Sequence, residues 1–132
     1  MKLNAGFVTP HLAETLEFYT EKLGFGIRFQ NDWYVLLHTP DGSFELSFLA
    51  PGLEHQHPVF RGAFGGVGAY LTLEVDDVDG LHDELVGRGV EPVQGLRDEP
   101  WGDRHFTVCD PNGVMLDFVR YTEPAYIRGF NI

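Results

Sequence analysis

Only one cysteine, Cys109, occurs among the 132 residues. A single thiol excludes an internal disulfide and every multi-cysteine zinc or iron–sulfur centre, a usage that suits a reducing compartment. Its strand-like surroundings read as those of a buried thiol. Basic residues are scarce as well: nine Lys and Arg stand against twenty Asp and Glu, for a formal net charge of −11. Such a field repels nucleic acid and anionic lipid and attracts cations, so neither a nucleic-acid nor a membrane partner is expected. The same excess serves the ordinary purpose of keeping a chain in solution. Acids are spread through both halves, with a local cluster at Glu74, Asp76, Asp77 and Asp79 rather than an acidic tail. Long apolar runs are missing too. None approaches the roughly 18 residues of a membrane span, and the N-terminus carries one lysine before strand-like residues rather than a targeting segment. A cytoplasmic protein is expected.

What the chain does contain is an internal repeat. Thr39-Pro40-Asp41-Gly42-Ser43-Phe44-Glu45-Leu46 and Asp110-Pro111-Asn112-Gly113-Val114-Met115-Leu116-Asp117-Phe118 are each a turn feeding a strand that holds a carboxylate. Each follows a helix-like segment that runs into glycine, at Leu23-Gly24-Phe25 and Arg88-Gly89-Val90. Two copies of one small unit are implied, each covering an apolar face. The length suits one domain, which would bury roughly 65–70% of its unfolded surface without staples.

Residues 3–8 are a strand candidate. Thr9 is placed to cap the helix that follows, and Pro10 suits a first helical position whose N–H has no partner. Leu12, Leu16, Tyr19 and Leu23 recur at helical spacing before Gly24 stops the run. Residues 25–30, 33–39 and 43–49 are aromatic and branched runs broken by Asn31-Asp32 and Asp41-Gly42, as in antiparallel hairpins. Residues 52–64, rich in glycine, histidine and proline, read as a linker with an ordered loop around Val59 and Phe60. The pattern restarts at residues 70–75. Asp76 is placed as the second cap, with Asp79 in the first turn and Val78, Leu81 and Leu85 as the inner stripe. Strands near residues 90–96, 105–109 and 114–121 complete a second β-α-β-β-β unit. Tyr126, Ile127 and Phe130 give the tail, residues 122–132, more apolar surface than a free end needs.

Strand alternation sorts the side chains. Leu71, Leu73 and Val75 belong on a helix-covered face, which turns Tyr70, Thr72 and Glu74 to the other side. Phe44, Leu46 and Phe48 cover a helix while Glu45, Ser47 and Leu49 look away. Leu116 and Phe118 pack inward while Met115, Asp117 and Val119 look away. Glu45 and Asp117 thus fall on comparable strands and on the same class of face.

Leu16-Glu17-Phe18-Tyr19 through Leu23-Gly24-Phe25, Tyr70-Leu71-Thr72-Leu73-Glu74-Val75-Asp76-Asp77-Val78, and Pro100-Trp101-Gly102-Asp103-Arg104 leading to Asp110-Pro111-Asn112-Gly113 carry a family resemblance. Across essentially its whole length the chain resembles the vicinal-oxygen-chelate superfamily of glyoxalase I, extradiol dioxygenases and bleomycin-resistance proteins. That resemblance implies an α+β fold in which two β-α-β-β-β modules, residues 1–51 and 65–121, form a curled eight-stranded mixed sheet around a groove. Residues 1–132 would then be a single domain, and a homodimer is implied. Metal-dependent members place His or Gln, Glu, His and Glu on the first and fourth strands of each module. The matching positions here are Asn4, Glu45, Tyr70 and Asp117, and only Glu45 fits outright. With both imidazoles missing, the expected metal ligands and cofactors are none.

The remaining histidines have ordinary readings. His38 and His105 fall on central strands, where a hydrogen-bonded structural role is commoner than a catalytic base, and no activated nucleophile stands near either in the sequence. No catalytic residue is assigned. His55 and His57 have chelating spacing but lie in a glycine-rich loop, and His11 and His82 fall at a helix start and on a helix surface. Aromatics carry the other hypothesis. Trp33 and Trp101 flank strands, Phe48 and Tyr70 are placed to line or close the groove, and Glu45, Glu74 and Asp117 supply negative charge beside them. Planar rings next to carboxylates favour flat or cationic ligands. Core packing remains the ordinary role of any single tryptophan. Arg104, in the Trp101 loop, is the one group expected to answer an anion. The expected function is binding of a small organic ligand, cationic by this reasoning, in the manner of the bleomycin-resistance proteins. A metal-dependent lyase, isomerase or dioxygenase is the alternative.

Overall fold

Eight strands form two four-stranded mixed sheets in the computed structural model, which describes residues 1–122. The chain divides into two compact units, Met1–Gly66 and a second that begins at Val67. Each has the β-α-β-β-β order expected from the repeat. The first contains β1 (Ala5–Val8), α1 (Leu12–Glu17), β2 (Gly26–Gln30), β3 (Tyr34–His38) and β4 (Glu45–Leu49). The second contains β5 (Tyr70–Glu74), α2 (Val78–Gly87), β6 (Gln94–Asp98), β7 (Asp103–Cys109) and β8 (Met115–Tyr121). Strand order is β1-β4-β3-β2 in one sheet and β5-β8-β7-β6 in the other. The first and last strands of each unit pair in parallel, and the two hairpins are antiparallel.

Period two places the cores. In the first unit Val35, Leu37, Leu46 and Phe48 are buried with Tyr19, Leu23 and Phe25. The Tyr19 ring lies 5.2 Å from Phe48 and 5.3 Å from Phe25, so one aromatic from the helical segment closes over the sheet. In the second unit Phe106, Val108, Leu116 and Phe118 are buried together with Val78 and Leu85 of α2. Each such side chain contributes about 1.5–3 kcal/mol when fully buried. Phe44 departs from the expected inward face. It is 67% exposed, because β4 begins one residue later, at Glu45.

Both helix starts differ from expectation. Thr9 accepts the His11 N–H at 3.0 Å, a local turn, and α1 starts at Leu12 with no side-chain cap. After six residues α1 widens into a π-helical turn over Phe18–Lys22. Hydroxyls of Thr15 and Thr20 donate to the His11 and Leu16 carbonyls, competing with the backbone for the preceding turn. The buried stripe is therefore Thr15, Tyr19 and Leu23, with Leu12 and Leu16 half-buried. In α2 the cap is Asp77, one residue beyond the expected Asp76; its carboxylate accepts the Gly80 N–H at 3.0 Å. A Cβ at position 80 would collide with that carboxylate, which explains the glycine.

Residues 52–64 fold against the first unit. The Arg61 guanidinium donates to the carbonyls of Leu53, Glu54 and Gln56, and the Phe64 N–H donates to the Val8 carbonyl. A 3₁₀ turn at Pro58–Phe60 stands where the ordered loop was expected. The two repeated turns differ in length. In the first, the Thr39 N–H meets the Phe44 carbonyl; in the second, the Asp110 N–H meets the Val114 carbonyl, closing one residue sooner. Glu45 therefore takes the same place in β4 as Met115 in β8, and Ser47 the place of Asp117. The expected packing of Tyr126, Ile127 and Phe130 falls outside the described residues.

Candidate functional site

α2 packs on β7 and β8, with His82 edge-on to Phe106 at 5.2 Å, so alternate residues of these strands turn to the helix-free face. Register places Tyr70, Thr72 and Glu74 of β5 beside Met115, Asp117 and Val119 of β8. It places Asp103, His105, Thr107 and Cys109 of β7 on the same face. Tyr70 is 71% exposed, and Thr72 and Glu74 are exposed with it.

At the centre of this face is His105, buried, with carboxylates at both ring nitrogens. Nδ1 is 2.7 Å from Asp117 Oδ1 and Nε2 is 2.9 Å from Glu99 Oε2. Carboxylates only accept, so satisfying both contacts requires two ring N–H groups, the imidazolium form. Burial works against that charge, but the hydrogen bonds to Glu99 and Asp117 and their charges outweigh it, and the ring's pKa is raised. Glu99 is held below the usual carboxylate range by the His105 bond, against burial, with help from Arg97. Arg97 Nη2 reaches the other Glu99 oxygen at 3.1 Å, and the Thr107 hydroxyl donates to Asp117 Oδ1 at 3.2 Å.

Toward one end of the face, the Trp101 indole N–H donates to Asp103 Oδ2 at 2.8 Å. Asp103 Oδ1 is buried and has no hydrogen-bond partner among the described residues. Tyr121 stands opposite Asp103 in the ladder. Its phenol pKa is raised by burial and then by the charges of Asp103, Glu74 and Asp117 and by Tyr70. The Cys109 thiol, half-buried, is pushed up by burial and by Asp110.

Of the residues singled out from the sequence, Tyr70, Glu74, Trp101 and Asp117 belong to this second unit. Arg104 belongs to it too but faces the other way. Its guanidinium binds Asp79 at 2.7 and 2.9 Å and Asp98 at 3.3 Å, tying α2 to β6, so it does not stand ready for an anion. In the first unit, Glu45 lies on the helix-free face with its carboxylate 3.0 Å from Arg28 Nε. A register shift in β2 between Ile27 and Phe29 leaves Arg28 out of the ladder. Trp33 packs on His55 at 4.6 Å and on Tyr34 at 6.1 Å. Phe48 is a correction: 1% exposed and held between Tyr19 and Phe7, it fills the core and lines no ligand surface. Of the other histidines, His38 bonds the Thr39 carbonyl with its ring over Gly26, and His57 accepts the Val59 N–H while His55 meets Trp33. Glu99 escaped notice in the sequence. The available signal was its place five residues ahead of His105's own neighbour, across a hairpin tip of Pro100-Trp101-Gly102.

The donor set does not fit the metal of the family's metal-dependent members. Glu45 is engaged by Arg28, and Asp117 by His105 and Thr107. Tyr70 pairs with Met115, while the β5 neighbour of Asp117 is Thr72. Among the described residues no group of three or more His, Cys, Asp or Glu side chains is arranged to hold a metal ion. Nor is any described helix long and apolar enough to cross a membrane.

Paired β-α-β-β-β units with first and last strands parallel define a glyoxalase-like fold. Residues 4–118 match the Glyoxalase/Bleomycin resistance protein/Dioxygenase superfamily, and the chain belongs to it. It is 25% identical over 114 residues to the bleomycin resistance protein of Geobacillus stearothermophilus, covering 81% of this chain and 86% of that relative. A glyoxalase/bleomycin resistance protein/dioxygenase from Nocardioides shares the fold with a TM-score of 0.78 at 22% identity, over 93% of this chain and 84% of that one. A bleomycin-binding protein complexed with bleomycin shares it with a TM-score of 0.69 at 22% identity, over 91% of this chain and 98% of that one.

Proposed function

We propose that the protein binds and sequesters a small organic cation carrying an aromatic or glycopeptide body, using the helix-free face of its second unit. The observation that carries this is a helix-free face on which exposed Tyr70 and Glu74 stand at one side, and Asp103, whose Oδ1 is buried and has no hydrogen-bond partner among the described residues, stands at one end. An acceptor in that state gains most from a ligand N–H, and aromatic rings on the same face, Trp101 bonded to Asp103 and Tyr70 further along, favour a cation. Trp101 stands at the same end as Asp103. The relatives named for bleomycin resistance support this chemistry. A metal-dependent lyase, isomerase or dioxygenase has less support, because Glu45 and Asp117 are each bonded to an internal cation.

The protein would act in the cytoplasm as a homodimer. Support for self-association comes from β2, an edge strand with Ile27 and Phe29 exposed. Calorimetric titration with a bleomycin-type glycopeptide and with a glutathione conjugate, each at two salt concentrations, tests the ligand class. Saturable heat is expected from the cation, weakening as salt rises. Tyr70→Ala should weaken binding by about 2 kcal/mol if the ring is an anchor. No heat from the cation, with saturable binding of the anion, would overturn the proposal.

A further inference from the structure

The imidazole of His105 joins two pieces of chain that lie on either side of β7, beside the ladder pairs of Arg97 with His105 and Asp98 with Arg104. On one side is Asp117, in the middle of β8. On the other is Glu99, just past the end of β6, at the base of the turn that carries Trp101. That turn is closed by Glu99 N–H to the Asp103 carbonyl at 2.7 Å and Gly102 N–H to the Glu99 carbonyl at 3.0 Å. β6 is an edge strand, and its pairing with β7 is interrupted between Gln94 and Arg97. Among the described residues no further strand pairs with its outer side, and the turn is otherwise held at its tip, where the Gly102 carbonyl accepts from the Thr122 N–H and hydroxyl at 3.0 Å each.

We infer that His105 is the positioning residue of the ligand face: by bonding Asp117 and Glu99 at once, it fixes the hairpin that carries Trp101 over the sheet. This deepens the proposed function and rests on that reading for the importance of Trp101 to a ligand. The clamp needs both ring N–H groups. A neutral ring would leave one carboxylate facing a nitrogen lone pair, and the hairpin would be released on that side. The titratable and polar groups on the same face near His105 are Arg97 and Glu99 from β6 and its turn, Asp103 and Thr107 from its own strand, Asp117 and Tyr121 from β8, and Glu74 from β5. Arg97 is bonded to the second Glu99 oxygen, so it reinforces the hairpin base rather than replacing the imidazolium. α2 lies on the opposite face.

Trp33→Phe leaves Trp101 as the sole indole of the chain. Its emission and acrylamide quenching, followed without ligand from about pH 5.5 to 9.5, read the hairpin directly. Quenching should rise as His105 loses its proton. His105→Gln in the same background should give high quenching at every pH and lose the transition, whereas His82→Gln should keep it. Glu99→Gln, which removes one of the two carboxylates, should move the midpoint to lower pH. Wild-type quenching in His105→Gln, or a flat Trp101 signal while the His105 ring titrates by NMR, would overturn the inference. If far-UV circular dichroism finds His105→Gln unfolded, the Trp33→Phe profile and Glu99→Gln decide it. Because no ligand is present, the profile stands or falls apart from cation binding.

Discussion

A histidine bonded to two carboxylates makes stability depend on pH in a direction that can be worked out. The folded pKa of His105 lies above its ordinary 6.5, so its contribution is complete below that value and is lost as pH rises through the folded one. Glu99 is shifted the other way, below 4.5, so its contribution is present above that value and is lost as pH falls through the folded one. Urea midpoints should therefore be highest between the two and decline on both sides. His105→Gln should flatten the alkaline limb short of the region where Cys109 and Tyr121, ordinarily 9.0 and 10.0 and both raised, begin to add their own loss. An unchanged alkaline limb in that variant would count against the clamp. At this scale the sequence was legible wherever alternation applied. Tyr70, Glu74 and Asp117 fall on the face that a period of two assigns them. Phe48 had two conflicting assignments, by alternation and by aromatic chemistry, and packing against Tyr19 decides for the first. Glu99 lies past a strand end, where alternation carries no information. The partner of Arg104 is 25 residues away, at Asp79, beyond the reach of local pattern.

Among the elements, strands were more legible than helix ends. Turn residues and branched runs mark the hairpins within a few residues, because a strand boundary is set where alternation meets glycine, asparagine or aspartate. A helix start depends on which neighbouring side chain reaches a free N–H, and adjacent acids cannot be told apart by spacing alone. The cap of α2 illustrates this. Asp77→Ala should destabilise the protein by about 1 kcal/mol, the usual cost of a lost N-cap. Asp76→Ala should leave the urea midpoint nearly unchanged. Equal effects of the two substitutions would show that the Asp77 contact to Gly80 contributes nothing. The π-helical turn after α1 was not legible either, since Leu12 and Leu16 continue an ordinary helical period while the buried stripe runs through Thr15 and Tyr19.

For the whole molecule, the repeat was enough to read two β-α-β-β-β units, whereas the ligand was not readable because the imidazoles that mark the family's metal chemistry are absent from Asn4 and Tyr70. The proposed self-association rests on surface rather than pattern, on the exposed Ile27 and Phe29 of the β2 edge. Sedimentation at micromolar protein should give the dimer mass, and Phe29→Asp should shift it toward monomer by placing a charge on the β2 edge. A monomer mass for the unmodified chain would rule the dimer out. The single extra residue in the first repeated turn reaches further than its size suggests. It sets Glu45 level with Met115 and Ser47 level with Asp117, so that motif similarity and spatial equivalence no longer coincide. At matching rungs the second half carries His105 where the first carries Tyr34, so a residue transferred by motif from one half to the other would land on the wrong neighbour.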